Sequence, residues 1–121
     1  MSKRILAIED HEENRRILRI LLASAGYDLL EAVTGEEGLS LAERERPDLI
    51  LMDIQLPGLD GYEVTRRIKA NPELRHIPII VVTSYALSGD DVKAFEAGCD
   101  AYVTKPFVPR ELVAKIRAFL P

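Results

Sequence analysis

Polar side chains interrupt the apolar rhythm of this 121-residue chain at four chemically distinct points. They are the adjacent acids Glu9 and Asp10, the single acid Asp53, the hydroxyls Thr83 and Ser84, and the amine Lys105. Three carboxylates brought together repel and raise one another's pKa unless a cation intervenes. Mg²⁺ suits such a set, with Mn²⁺ as an alternative, because it takes hard oxygen ligands, keeps several waters and needs few protein groups. A lysine ammonium supplies mobile positive charge, and a threonine hydroxyl can donate to an incoming oxyanion. Metal, lysine and hydroxyl together make a clamp for a phosphoryl group. Aspartate is an established nucleophile for forming aspartyl phosphate. Asp53 fits that role, since it ends the apolar run Leu49-Ile50-Leu51-Met52 and is followed by turn signals at Pro57-Gly58 and Asp60-Gly61.

These residues act together only if the fold collects them. The apolar run at residues 4–8 stops at Glu9-Asp10, and Ile17, Leu18, Leu21 and Leu22 then follow at helical spacing, with Gly26 as a stop. Residues 28–33 read as a strand. Thr34 is the expected N-cap of a helix over 36–46, with Glu37 as its capping-box partner and Pro47 closing it. A strand over 48–52, a helix over 62–70, a strand over 79–82 stopping at Thr83, and a helix from about 89 to 97 come next. A fifth strand over 100–104 and a final helix opened by Pro109 and reaching Leu120 complete five strand–helix units. The third and fourth strands are apolar throughout, as when helices cover both faces of a parallel sheet. The expected fold is therefore α/β, one doubly wound domain over residues 1–121. In such sheets ligands bind beyond the carboxyl ends of the strands, where all the polar residues above fall.

Several other functions fit poorly. The formal net charge of -4 disfavours a nucleic-acid surface. Cys99, the single cysteine, rules out an internal disulfide and reads as a small buried apolar residue. No apolar run approaches membrane-spanning length and no secretory leader is evident, so the cytoplasm is the expected compartment. Neither phosphate-binding glycine loop nor the G-x-S-x-G nucleophile pattern occurs. His11 could approach the metal edge, but a solvated helix-start residue is the favoured reading. His76 carries no signal. An aspartate-based phosphohydrolase would place its nucleophile after the first strand as D-x-D, whereas that strand ends Glu9-Asp10-His11. A binding module that works without phosphorylation is the other alternative, and the intact set of Glu9, Asp10, Asp53, Thr83 and Lys105 weighs against it.

The segments Ile8-Glu9-Asp10, residues 49–57 with Asp60-Gly61, Val82-Thr83-Ser84-Tyr85-Ala86 and residues 98–107 resemble the receiver domains of two-component response regulators. The resemblance covers essentially the whole chain. It implies a flavodoxin-like (βα)5 sheet of strand order 2-1-3-4-5, with Asp53 as phosphoacceptor. Metal ligands are then expected from Glu9, Asp10, Asp53 and the Gln55 main-chain carbonyl. Thr83 stands at the switch hydroxyl, Lys105 at the lysine that pairs with the phosphoryl group, and Tyr102 at the aromatic that turns inward when Thr83 moves. The Lys105-Pro106 bond is expected to be cis. Ser84 stands where alanine is frequent, and Glu9 where aspartate is common. Gln55 and Tyr85 occupy variable flanking positions.

The implied donor is a phosphohistidine on a sensor histidine kinase or phosphotransfer protein. Output is expected through a protein target, or through self-association, on the face formed by the fourth helix, fifth strand and fifth helix. The domain would assist its own modification without turning over a free substrate. A free-standing regulator or phosphorelay carrier without an output domain is the expected setting.

Overall fold

The computed structural model describes residues 2–84 and 90–121. Among the described residues ten elements alternate: β1 Arg4–Ile8, α1 Glu12–Ser24, β2 Asp28–Ala32, α2 Gly35–Glu45, β3 Leu49–Met52, α3 Gly61–Ala70, β4 Ile79–Thr83, α4 Asp90–Ala97, β5 Ala101–Thr104 and α5 Pro109–Phe119. All strand pairings are parallel, in the order β2-β1-β3-β4-β5. This is the doubly wound order expected. The expected start of the fourth helix, Gly89, and Tyr85 lie outside the described residues.

Side-chain alternation sorts the core into two layers. Leu6, Ile8, Ile50, Met52, Ile79 and Val81 point to one face and meet Ala42 of α2, Val64 and Ile68 of α3, and Ala94 of α4. Ile5, Ala7, Leu49, Leu51, Ile80 and Val82 point to the other, against Leu18 and Leu22 of α1 and Leu112 and Ile116 of α5. Both faces of the three central strands are thus dry, which is why their sequences are apolar without a polar alternate. Each fully buried Leu or Ile contributes about 1.5–3 kcal/mol of transfer free energy.

Local chemistry fixes the element ends. Thr34 Oγ1 accepts from Glu37 N at 3.1 Å while Glu37 Oε1 accepts from Val33 N at 2.8 Å, so the capping partnership is reciprocal. Ala32 makes the last ladder bond of β2, accepting from Glu9 N, while the Val33 amide faces the open edge and donates to Glu37, so β2 stops one residue short of the expected end. β5 begins at Ala101, one residue after the expected start: Asp100 N still donates to Ile79 O, while the Asp100 carboxylate accepts from Ile79 N and Lys69 Nζ, at 2.8 and 2.9 Å. Gly26, at φ 88°, follows the last turn of α1 in the left-handed region that glycine adopts without strain. The Lys105-Pro106 peptide is cis, as expected. No helix among the described residues is long and apolar enough to cross a membrane.

Candidate functional site

The carboxyl ends of β1, β3, β4 and β5 deliver the polar residues to one rim. β1 and β3 run in register, Ile8 opposite Met52, so the residues that follow, Glu9 and Asp53, emerge side by side. Their backbones remain tied to the sheet: Glu9 N donates to Ala32 O and Asp53 N to Ile8 O, both at 3.0 Å. Lys105 N donates to Thr83 O at 2.9 Å, which anchors the lysine to the end of β4. Gly61 supplies the remaining support. A Cβ there would sit 2.1 Å from the Asp53 carbonyl oxygen, so only glycine lets α3 start this close to the site.

Glu9 and Asp53 are nearly inaccessible, at 3% and 6% relative exposure. Burying two carboxylates requires compensation, and Lys105 provides it. Its Nζ lies 2.5 Å from Glu9 Oε1 and 3.4 Å from Asp53 Oδ2. The second oxygen of Asp53 accepts from Gln55 N at 3.3 Å, and that of Glu9 accepts from His11 N at 3.0 Å. Asp10 completes the acid set. Its Oδ1 is out of solvent yet accepts no well-directed hydrogen bond, although His11 Nδ1 stands 3.2 Å away. Glu9, Asp10, His11 and Asp53 offer ligand atoms that all lie within 4.8 Å of one another. Three carboxylates against one ammonium leave a local excess of negative charge, and an inward buried oxygen that a cation would satisfy.

Thr83 is fully buried at the end of β4. Tyr102, on β5, pairs in register with Val81, two residues before Thr83, and its ring packs against the core layer containing Val81. Burial, and then the charges of Asp90 and Asp91, push the Tyr102 phenol above its usual range. Ser84 is exposed and lines a cavity of about 570 Å³ that Asn14, Ile17, Phe107 and Pro109 also border, with Asp53 and Lys105 at its edge.

Glu9, Asp10, Asp53, Gln55, Thr83, Ser84 and Lys105 sit on this rim or immediately beside it, and Tyr102 lies back within β5. His11 does two things at once: it is the N-terminal cap residue of α1, with a largely exposed ring, and its Nδ1 faces both acids. Arg15 was missed. Its guanidinium donates to the Glu9 main-chain oxygen at 2.9 Å and to Glu12 at 2.7 Å, bracing the acid loop against α1. An arginine on an exposed-looking helix stripe gives no sequence signal of that contact. Its neighbour Arg19 bridges Glu12 and Glu31, which holds the Glu12 carboxyl below its usual range and raises the Arg19 guanidinium.

A doubly wound sheet with an acid pair, a lone acid and a lysine on its carboxyl rim defines a phosphoacceptor class of signalling domain. Residues 5–117 match the response regulator receiver domain model, and the chain belongs to that family. It is 43% identical over 120 residues to the polar-differentiation response regulator DivK of Brucella anthropi, covering 99% of this chain and 98% of that one. A response regulator from Chloroflexus aurantiacus superposes with a TM-score of 0.95 at 32% identity, covering 99% and 98% of the two chains. The receiver domain of a sensor histidine kinase from Pseudomonas aeruginosa, with a magnesium ion coordinated in its active-site cleft, superposes at 0.92 with 38% identity and the same coverage. Receiver domains work with histidine kinases or histidine phosphotransfer proteins, and are themselves modified rather than turning over a free substrate.

Proposed function

We propose that Asp53 accepts a phosphoryl group from a phosphohistidine in a Mg²⁺-dependent reaction, and that residues 1–121 act as one receiver domain signalling through an altered protein-binding surface. The observation that carries this reading is Asp53 itself: a buried carboxylate held 3.4 Å from Lys105 within a cluster of acids. Glu9, Asp10 and Asp53 would hold the metal, with the Gln55 main-chain carbonyl as a further ligand. The unsatisfied Asp10 Oδ1 and the acid excess fit a hard dication. When bound, Mg²⁺ (or Mn²⁺) offsets charge on the carboxylates and on the transferring phosphoryl oxygens.

One Asp53 oxygen attacks phosphorus in line with the bond to the donor imidazole. The new P–O bond forms as the P–N bond breaks, and its electron pair returns to the imidazole nitrogen of the donor. Lys105 moves from Glu9 and Asp53 onto a phosphoryl oxygen, and the Thr83 hydroxyl donates to another. The donor is a sensor histidine kinase or a phosphotransfer protein. Exposed Ile17 of α1 lines the cavity that reaches Asp53, and with exposed Ile20 on the same helix it would give the donor an apolar footing. We place the exchange in the cytoplasm, with no direct nucleic-acid or membrane contact.

As Thr83 moves toward the phosphoryl group, Tyr102 follows into the space it leaves. Both lie on the same face of the sheet, and Tyr102 borders α4. The α4-β5-α5 face changes shape in consequence, and a protein target or a second copy reads it. Exposed Val92 and Phe95 on α4 offer apolar anchors there.

Intact mass after incubation with Mg²⁺ and acetyl phosphate tests the assignment. One phosphoryl adduct is expected, lost in Asp53→Asn and lost without the metal. An adduct that survives Asp53→Asn would overturn it.

A further inference from the structure

The carboxylates of the rim are hard oxygen donors, yet a nitrogen donor stands among them. His11 Nδ1 lies 3.2 Å from Asp10 Oδ1 and 3.3 Å from Glu9 Oε2, inside the same cluster as Asp53. The backbone beneath the ring is pinned at both ends: His11 N donates to Glu9 Oε2 at 3.0 Å, and His11 O accepts from Arg15 N at 3.1 Å. The ring therefore hangs over the acids from a fixed Cα. In the tautomer that carries its proton on Nε2, Nδ1 presents a lone pair to the space the three carboxylates share.

We propose that His11 makes this pocket a mixed oxygen–nitrogen chelate that takes borderline divalent transition ions, such as Ni²⁺, Cu²⁺ or Zn²⁺, with an imidazole ligand that Mg²⁺ does not use. The inference rests on the reading of the acid rim as a metal site and adds a second class of ion to it. Mg²⁺ prefers carboxylate, carbonyl and water, so an imidazole adds little to its binding. Ni²⁺, Cu²⁺ and Zn²⁺ gain from imidazole, and carboxylate–imidazole sets suit them well. The consequence is inhibitory. An ion drawn toward His11 engages the Asp53 carboxylate that must attack phosphorus, and it excludes Mg²⁺ from the same oxygens.

The test compares wild type with His11→Asn, using His76→Asn as the control for the other imidazole. Ni²⁺ and Mg²⁺ affinities are measured by calorimetry, Cu²⁺ ligation by electron paramagnetic resonance, and acetyl phosphate labelling in Mg²⁺ with and without added Ni²⁺. The ratio of Ni²⁺ to Mg²⁺ affinity should fall about tenfold or more in His11→Asn and stay put in His76→Asn. The nitrogen hyperfine structure of bound Cu²⁺ should vanish with His11, and labelling should become less sensitive to Ni²⁺. An unchanged ratio, or loss of hyperfine structure in His76→Asn instead, overturns the proposal. A proportional loss of both ions in His11→Asn also overturns it, since the ring would then only shape the acids. Mg²⁺ binding without any Ni²⁺ binding defeats this inference alone, whereas failure of wild type to bind either ion defeats the metal site beneath it.

Discussion

Lys105 Nζ and Glu9 Oε1 lie 2.5 Å apart although 96 positions separate the two residues in sequence. The contact closes the rim from its two ends, β1 and β5, across the intervening β3 and β4. It also sets the resting state of the site: the ammonium is shared between a metal-side acid and the proposed phosphoacceptor.

Removing that ammonium leaves Glu9 and Asp53 buried without a counter-charge. Lys105→Ala is expected to lose about 3 kcal/mol of stability in urea unfolding, partly restored by Mg²⁺. Acetyl phosphate labelling should fall about a hundredfold, because a preorganised positive charge at the transferring oxygens is gone. Full stability without Mg²⁺ would show that the two carboxylates do not need the lysine.

Tyr102 shares its sheet face with Thr83 and borders α4. Tyr102→Ala is expected to take up phosphoryl groups normally while uncoupling the α4-β5-α5 face. Amide chemical shifts recorded before and after acetyl phosphate treatment provide the readout. The shift changes on α4 and β5 should shrink by more than half in the variant while those around Asp53 persist. Unchanged α4 and β5 responses would remove the aromatic from the switch.

Gly61 is needed for the approach of α3 to the phosphoacceptor, since an added Cβ would lie 2.1 Å from Asp53 O and 2.8 Å from Ile54 Cα. Backbone atoms cannot swing away as a side chain does. Gly61→Ala should cost about 3 kcal/mol and slow labelling at Asp53 by displacing its main chain. Wild-type stability and labelling rate together would contradict the close approach.

Cys99 is a buried thiol, pushed from 9.0 up to about 11 by burial first and by the neighbouring Asp100 charge second. The folded state keeps this proton through the range where the unfolded chain loses it. The thiol's contribution to stability is therefore intact below about pH 9 and is lost as the pH rises toward 11. The unfolding free energy of wild type relative to Cys99→Ala should decline across that window. A flat difference would mean that the native thiol ionises as freely as the unfolded one.

Much of the fold was legible because its signals are local and repeated. Thr34 with Glu37, Gly26 and Pro109 each mark a helix boundary through a backbone requirement satisfied within a few residues. The apolar runs of β3 and β4 declare strands covered on both faces. Val33 and Asp100 lie one residue outside the strands expected to hold them: the Val33 amide faces the open edge and serves the Glu37 cap, and the Asp100 carboxylate occupies the Ile79 amide, neither of which an apolar run announces.

The sequence by itself determined which residues could do chemistry and that five parallel strands would bring them to one edge: a strand ends where its apolar run ends, and parallel strands end on the same side. Only the tertiary structure decided how those groups are wired. That Lys105 rests on Glu9, that Asp10 keeps a buried oxygen without a hydrogen bond, that His11 turns its nitrogen toward the acids and that Arg15 braces the Glu9 carbonyl all depend on side-chain directions across separate elements. The Lys105–Glu9 contact spans a distance in sequence over which no local propensity acts, and the nearer Asp10, His11 and Arg15 contacts depend on how the loop after β1 is set against α1 when both core layers close around the sheet.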